Sequence, residues 1–92
     1  MGDLTVVKSQ RTKKFKKIFN KLPSHVQAQV EIAYEHFKRD PWYSSLEFKC
    51  VNKGESIYSI RIGIHYRALG YMRDDTIIWY WVGTHSDYDH LI

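Results

Sequence analysis

The sequence predicts an α+β domain: a short N-terminal strand and a helical hairpin packed on a mainly antiparallel, curved sheet of four to five strands, ending in a short C-terminal helical turn. Three observations lead there. Apolar residues recur at helical spacing in the first half of the chain and alternate at strand spacing in the second. The strand-like runs are also joined by turns too short for a parallel crossover. A chain of 92 residues closes a single core, so residues 1–92 are read as one domain.

The elements follow in order. "LTVV", residues 4–7, is a short β-prone run leading into a helix with Ser9 as its N-cap. Phe15, Ile18, Phe19 and Leu22 then fall at i, i+3, i+4 and i+7, one apolar stripe on a helix whose other faces carry lysines. "LPSHVQ" breaks that helix and starts another, Ser24 and Gln27 having the spacing of a capping box. Val26, Val30, Ala33 and Phe37 line its inner face until Asp40-Pro41 stops it, because a residue before proline is driven out of α geometry.

Beyond this point the period changes. "LEFKCVN" places Leu46, Phe48 and Cys50 on one face and Glu47, Lys49 and Val51 on the other. Asn52-Lys53-Gly54-Glu55 is a turn, and "IYSIRIG" sets Tyr58, Ile60 and Ile62 opposite Ser59 and Arg61. "YRALGYM" follows, and the turn Arg73-Asp74-Asp75 leads into "TIIWYWVG".

Composition narrows the function classes. The formal net charge is +4 and the pI about 9.2. Seven Lys or Arg lie between Lys8 and Lys21 with no acid among them, which suits nucleic acid or an acidic protein segment. Cys50 is the single cysteine, so neither an intrachain disulfide nor a cysteine-based metal site can form, and a reducing cytoplasm is expected. No apolar run is long enough to span a bilayer, and the polar, basic start lacks the core of a signal peptide. Seven tyrosines and three tryptophans exceed what so small an interior hides, placing some at a partner surface.

Two constellations could carry chemistry. Arg61 and Arg67, on adjacent antiparallel strands with their apolar neighbours turned inward, project toward one open sheet face, and Lys49 has compatible parity. Two such guanidinium groups are stable side by side only in water or around an anion, and arginine forks suit phosphate. The plainer reading is a pair of solvated cations. The second constellation is the tail "HSDYDH". A strand ending at Gly83 delivers His85 just past the sheet edge, with Tyr88 one helical turn later on the same side. Histidine exchanges protons near neutral pH, and tyrosine does so beside cations. A polar terminal turn is the plainer reading here, and His85, Asp87, Asp89 and His90 alternate in direction, which argues against a metal centre.

These pieces together resemble the RelE/ParE superfamily of type II toxin-antitoxin toxins. The resemblance runs from "VVKSQRTKKFKKIFNKLP" to the tail, and its most telling parts are "IYSIRIGIHYRALGYM", similar to the Tyr-x-Ile-Arg and Tyr-Arg pattern, and "WVGTHSDYD", similar to the glycine-histidine-tyrosine ending of ribosome-dependent mRNA interferases. It implies a sheet that binds messenger RNA on the ribosome and cuts it by 2′-hydroxyl attack on the adjacent phosphate, without metal or other cofactor. Arg67 would stabilise the transition-state phosphate, Arg61 would face the RNA, and His85 and Tyr88 would move protons. Lys49, Lys53 and the helix lysines Lys13, Lys14 and Lys17 would hold mRNA or ribosomal RNA. The partner implied is a cognate acidic antitoxin, the toxin alone being monomeric. Two departures stand out: Ser59 occupies a position where RelE has lysine, and no arginine follows Gly83. The rival expectations are a ParE-like inhibitor of DNA gyrase that cleaves nothing, and a basic RNA-binding or antitoxin-docking module without activity.

Overall fold

The computed structural model describes residues 7–92. Along the chain run β1 (Lys8–Arg11), α1 (Lys13–Asn20), α2 (Ser24–Arg39), a 3-10 turn (Ser44–Leu46), β2 (Lys49–Asn52), β3 (Ile57–Ile62), β4 (Tyr66–Arg73), β5 (Thr76–Thr84) and α3 (His85–Leu91). The strands form one sheet in the order β1-β5-β4-β3-β2. Pairings from β2 to β5 are antiparallel, as their short turns require, and β1 pairs parallel with β5 from Lys8↔Thr76 to Arg11↔Trp79. The α+β architecture expected from the sequence is the one observed.

Pairing with β5 corrects the start of the first helix. Ser9 is not a cap: it lies within β1, where its hydroxyl donates to the Tyr34 phenol at 3.0 Å. Strand pairing continues to Arg11, so the cap falls to Thr12, whose hydroxyl accepts the Phe15 N–H at 3.0 Å. Residues 4–6 of the expected strand lie outside the described residues. The capping box at Ser24 is likewise absent. Pro23 is the N-cap of α2 and makes no side-chain cap bond, while the Gln27 amide donates to the Phe19 carbonyl at 2.9 Å. Gln27 thereby adds a second donor to the Phe19 carbonyl, which also accepts the Leu22 N–H at 3.0 Å, and ties the start of α2 to the end of α1.

Helices α1 and α2 cover one face of the sheet. The predicted stripe Val26, Val30, Ala33 and Phe37 is buried against Ile60, Ile62, Ala68, Ile77 and Trp79. Phe37 meets Phe48 and Trp79 edge-on, with ring centroids 5.0 and 5.3 Å away. In β5 the register slips: Leu69 faces Trp81 and Gly70 faces Trp79, so Tyr80 is an extra, unpaired residue. Such a bulge strengthens local twist and turns its extra side chain out of the core.

The region before β2 is more bent than alternation predicts. The expected strand from Leu46 begins only at Lys49, because Ser44–Leu46 form the 3-10 turn and Glu47 adopts left-handed backbone angles (φ 47°, ψ 46°). Leu46 and Phe48 still reach the core, whereas Cys50 is exposed on an edge strand.

Candidate active site

Opposite the helical hairpin, the face carrying Ser59, Arg61 and Arg67 is formed by β3 and β4. Arg61 and Arg67 are direct register partners, with Ser59 two residues along β3. Residues at this spacing share a face, so the period-2 expectation brings the two guanidinium groups together. Lys49 pairs with Ser59 from β2 and is exposed on the same side.

The anion that reconciles the two arginines comes from this chain. Glu47 Oε1 accepts from Arg67 Nη2 at 2.7 Å and Glu47 Oε2 from Arg61 Nη1 at 3.4 Å, one carboxylate bridging both cations. The short charge-assisted bond to Arg67 is the stronger. That bond, the largest influence, holds the Glu47 carboxyl below its ordinary value; burial opposes it, and the charges of Arg67, then Arg61 and Lys49, add to the lowering. Sequence reasoning placed Glu47 on the Lys49 side but assigned it no role. The available signal was an acid sharing the parity of two facing arginines.

Arg67 is only 5% exposed. Its Nη1 donates a long bond, 3.4 Å, to Ser59 Oγ, and its Nε, buried too, has no hydrogen-bond partner among the described residues. A buried guanidinium N–H left unpaired is costly and leaves a donor free for another oxygen. Above it lies α3. Thr84 caps this helix by accepting the Asp87 N–H at 3.1 Å, so β5 runs one residue past Gly83 before the chain turns back over the open face.

Tyr88 enters beneath α3 and is 4% exposed. Its hydroxyl donates to Ser59 Oγ at 3.4 Å, and Arg67 Cζ lies 5.2 Å from its ring centroid, a cation–π distance. His85 packs against the same ring, centroids 5.7 Å apart, with its own side chain half-exposed. His85 Nδ1 lies 3.3 Å from Asp89 Oδ2, and its backbone N–H donates to the His65 carbonyl at 2.7 Å. Arg67 and His85, distant in sequence, therefore converge on one aromatic ring. His90 turns away, its Nδ1 bonded to the Ser86 carbonyl at 2.9 Å. Among the described residues no three His, Cys, Asp or Glu side chains are grouped so as to hold a metal ion.

The remaining expected contacts are dispersed. Lys13, Lys14 and Lys17 are exposed on α1 and Lys53 on the β2–β3 turn, on elements separate from the arginines. Lys14 borders a depression with Trp81, Leu91 and Ile92 beside the tail helix. Two cations of the basic run are partnered across the fold, Arg11 with Glu31 at 3.2 Å and Lys8 with Asp75 at 4.0 Å.

Fold and site together define a basic single-sheet domain that concentrates arginines, a carboxylate and a histidine on the face away from its helical hairpin. The sequence profile of the ParE-like toxin domain matches residues 24–90, and the chain belongs to that family, within the RelE/ParE superfamily of type II toxin-antitoxin toxins. It is similar to the RelB-RelE antitoxin-toxin complex from Methanococcus jannaschii, with a TM-score of 0.69 and 25% identity over 89% of this chain and 98% of the other. Similarity to the RelBE2 toxin-antitoxin complex from Mycobacterium tuberculosis has a TM-score of 0.65 and 24% identity over 86% and 98% of the two chains. A mutant toxin from Helicobacter pylori shares the fold at a TM-score of 0.57 and 21% identity, covering 88% of this chain and 97% of that one. No curated protein sequence matches the chain.

Proposed function

We propose that this toxin is a cytoplasmic, ribosome-dependent endoribonuclease that cleaves mRNA by attack of a 2′-hydroxyl on the adjacent phosphate. The observation that carries the reading is the arginine pair bridged by the half-exposed Glu47 carboxylate, with His85 packed against the Tyr88 ring that covers Arg67. A phosphate entering this site would take the place of the Glu47 carboxylate on Arg67 and Arg61. Two guanidinium groups would then neutralise the charge that develops as the phosphorane forms. The unpaired Arg67 Nε–H offers a further donor to the same centre.

The exchange also changes Glu47. Its carboxyl is held low chiefly by the Arg67 hydrogen bond, so giving that bond to phosphate raises its basicity as the substrate arrives. Glu47 is thereby suited to accept the 2′-hydroxyl proton, and half-exposed His85 to protonate the departing 5′-oxygen. Tyr88, covered and bonded to Ser59, would act chiefly by fixing the Arg67 guanidinium under its ring. The products would be a 2′,3′-cyclic phosphate, opening to a 3′-phosphate, and a 5′-hydroxyl. In this reading side chains carry the proton transfers, and the mechanism calls on no metal.

By analogy with the complexes of its structural relatives, the toxin's partner would be an acidic antitoxin segment that covers the basic sheet. The exposed lysines, including Lys13, Lys14, Lys17, Lys49 and Lys53, would contact ribosomal or messenger RNA phosphates, which position without reading sequence. Removing one positioned acid-base group ordinarily costs about 10²- to 10⁴-fold in rate. His85→Ala is therefore expected to lower cleavage of ribosome-bound mRNA by that factor with its circular dichroism unchanged; undiminished cleavage would remove His85 from the mechanism.

A second reading has its own support. The burial of Arg67 beneath Tyr88 and Glu47, together with the ParE-like family match, favours a non-catalytic inhibitor of DNA gyrase. Arrested cells separate the two, by accumulating either cut mRNA or trapped gyrase–DNA complexes.

A further inference from the structure

A second feature lies along the same face, past the arginine centre. Tyr71 stands four residues from Arg67 on β4, at the same parity and about 13 Å away at ~3.3 Å per residue. Its ring centroid is 6.1 Å from that of Tyr80, the side chain expelled by the bulge. With Ile57 and Glu55 the two rings enclose an open trough of about 320 Å³. Arg73 lies over the Tyr71 ring at 5.8 Å. An adjoining depression shares Glu55, Ile57 and Tyr80 with the trough and reaches Lys14 and the end of α3.

We propose that this trough is a nucleobase subsite, preferring guanine, for single-stranded RNA whose scissile phosphate sits at Arg67. The inference rests on the nuclease reading and extends it to where the RNA lies. Aromatic faces stack any base, and flanking cations hold the phosphates on either side of it. Arg73 and Lys14 stand at the trough and in the adjoining depression, where those phosphates would run. Glu55 selects the occupant. An ionised carboxylate only accepts hydrogen bonds, so it repels an acidic peptide and welcomes a base edge rich in N–H donors. Guanine presents such an edge, its N1–H beside its N2 amino group. Burial, then the nearby Glu55 charge, push the Tyr80 phenol up, so it stays a neutral donor beside the stacked base.

The test is a nuclear magnetic resonance titration of the full chain with GMP, AMP, CMP and UMP, following the Tyr71 and Tyr80 ring protons. GMP should shift both rings at the lowest concentration. Tyr71→Leu, which keeps apolar bulk, should weaken GMP binding about tenfold. Glu55→Gln, an exposed change, should erase the preference for GMP while stacking persists. Rings that ignore all four nucleotides, a Tyr71→Leu chain that binds GMP like wild type, or rings that answer only to an acidic peptide would each overturn the proposal. Cleavage is scored separately with Arg67→Ala. Nucleotide binding in a wild-type chain that cuts no ribosome-bound mRNA would keep the subsite and remove the nuclease.

Discussion

Glu47 meets two guanidinium groups with one carboxylate, and the contact lengths rank them: 2.7 Å to Arg67 against 3.4 Å to Arg61. The consequence is a pH dependence whose sign is fixed. The folded-state pKa of Glu47 lies below its unfolded value, about 4.3, so the unfolded chain takes up the proton first. The contribution of Glu47 to stability is therefore full above about pH 4.3 and is lost as pH falls through the lower folded value. Thermal unfolding between about pH 5 and pH 3 should show a steeper loss for wild type than for Glu47→Gln. Parallel curves would mean the carboxylate is not held by Arg67 in solution. Gly70 makes a second point at this scale. A Cβ there would stand 2.7 Å from Trp79 Cε3 and 3.0 Å from Ile77 Cγ1, both in the packed core. Gly70→Ala is expected to cost about 1–3 kcal/mol through overpacking, read as a lower urea midpoint.

Among the elements, the helices and strands were legible where a period runs unbroken. Val26, Val30, Ala33 and Phe37 mark the buried side of α2, and alternation along β3 and β4 sets Arg61 beside Arg67. The cap of α1 was misplaced at Ser9, because local propensity does not record that β1 pairs with distant β5; that pairing carries the strand to Arg11 and leaves the cap to Thr12. Thr12→Ala should therefore destabilise the fold by about 1 kcal/mol in denaturant titration. Glu47 escaped for a related reason. The left-handed turn before β2 is a tertiary accommodation that no alternation pattern records, and it swings the carboxylate onto the arginines. The helical spacing of His85 and Tyr88 and the approach of the tail to Arg67 were legible, but the burial of the Tyr88 ring was not.

At the scale of the whole molecule, the sheet separates two tasks. One face carries the helical hairpin and the core that fixes the register. The other carries α3, which brings a histidine from the end of the chain over an arginine centre built in its middle. The surplus of positive charge over the whole chain, +4, favours polyanions as partners of the molecule. No helix of the described residues is long and apolar enough to cross a membrane. Whether the converged groups cut RNA is read from cleavage of ribosome-bound mRNA by wild type, Arg67→Ala and His85→Ala, each first shown to be folded by circular dichroism. Wild type is expected to yield 5′-hydroxyl fragments, and either variant at least about a hundredfold fewer. Equal cleavage by all three proteins, or none by wild type on ribosomes that a known interferase cuts, would contradict that expectation.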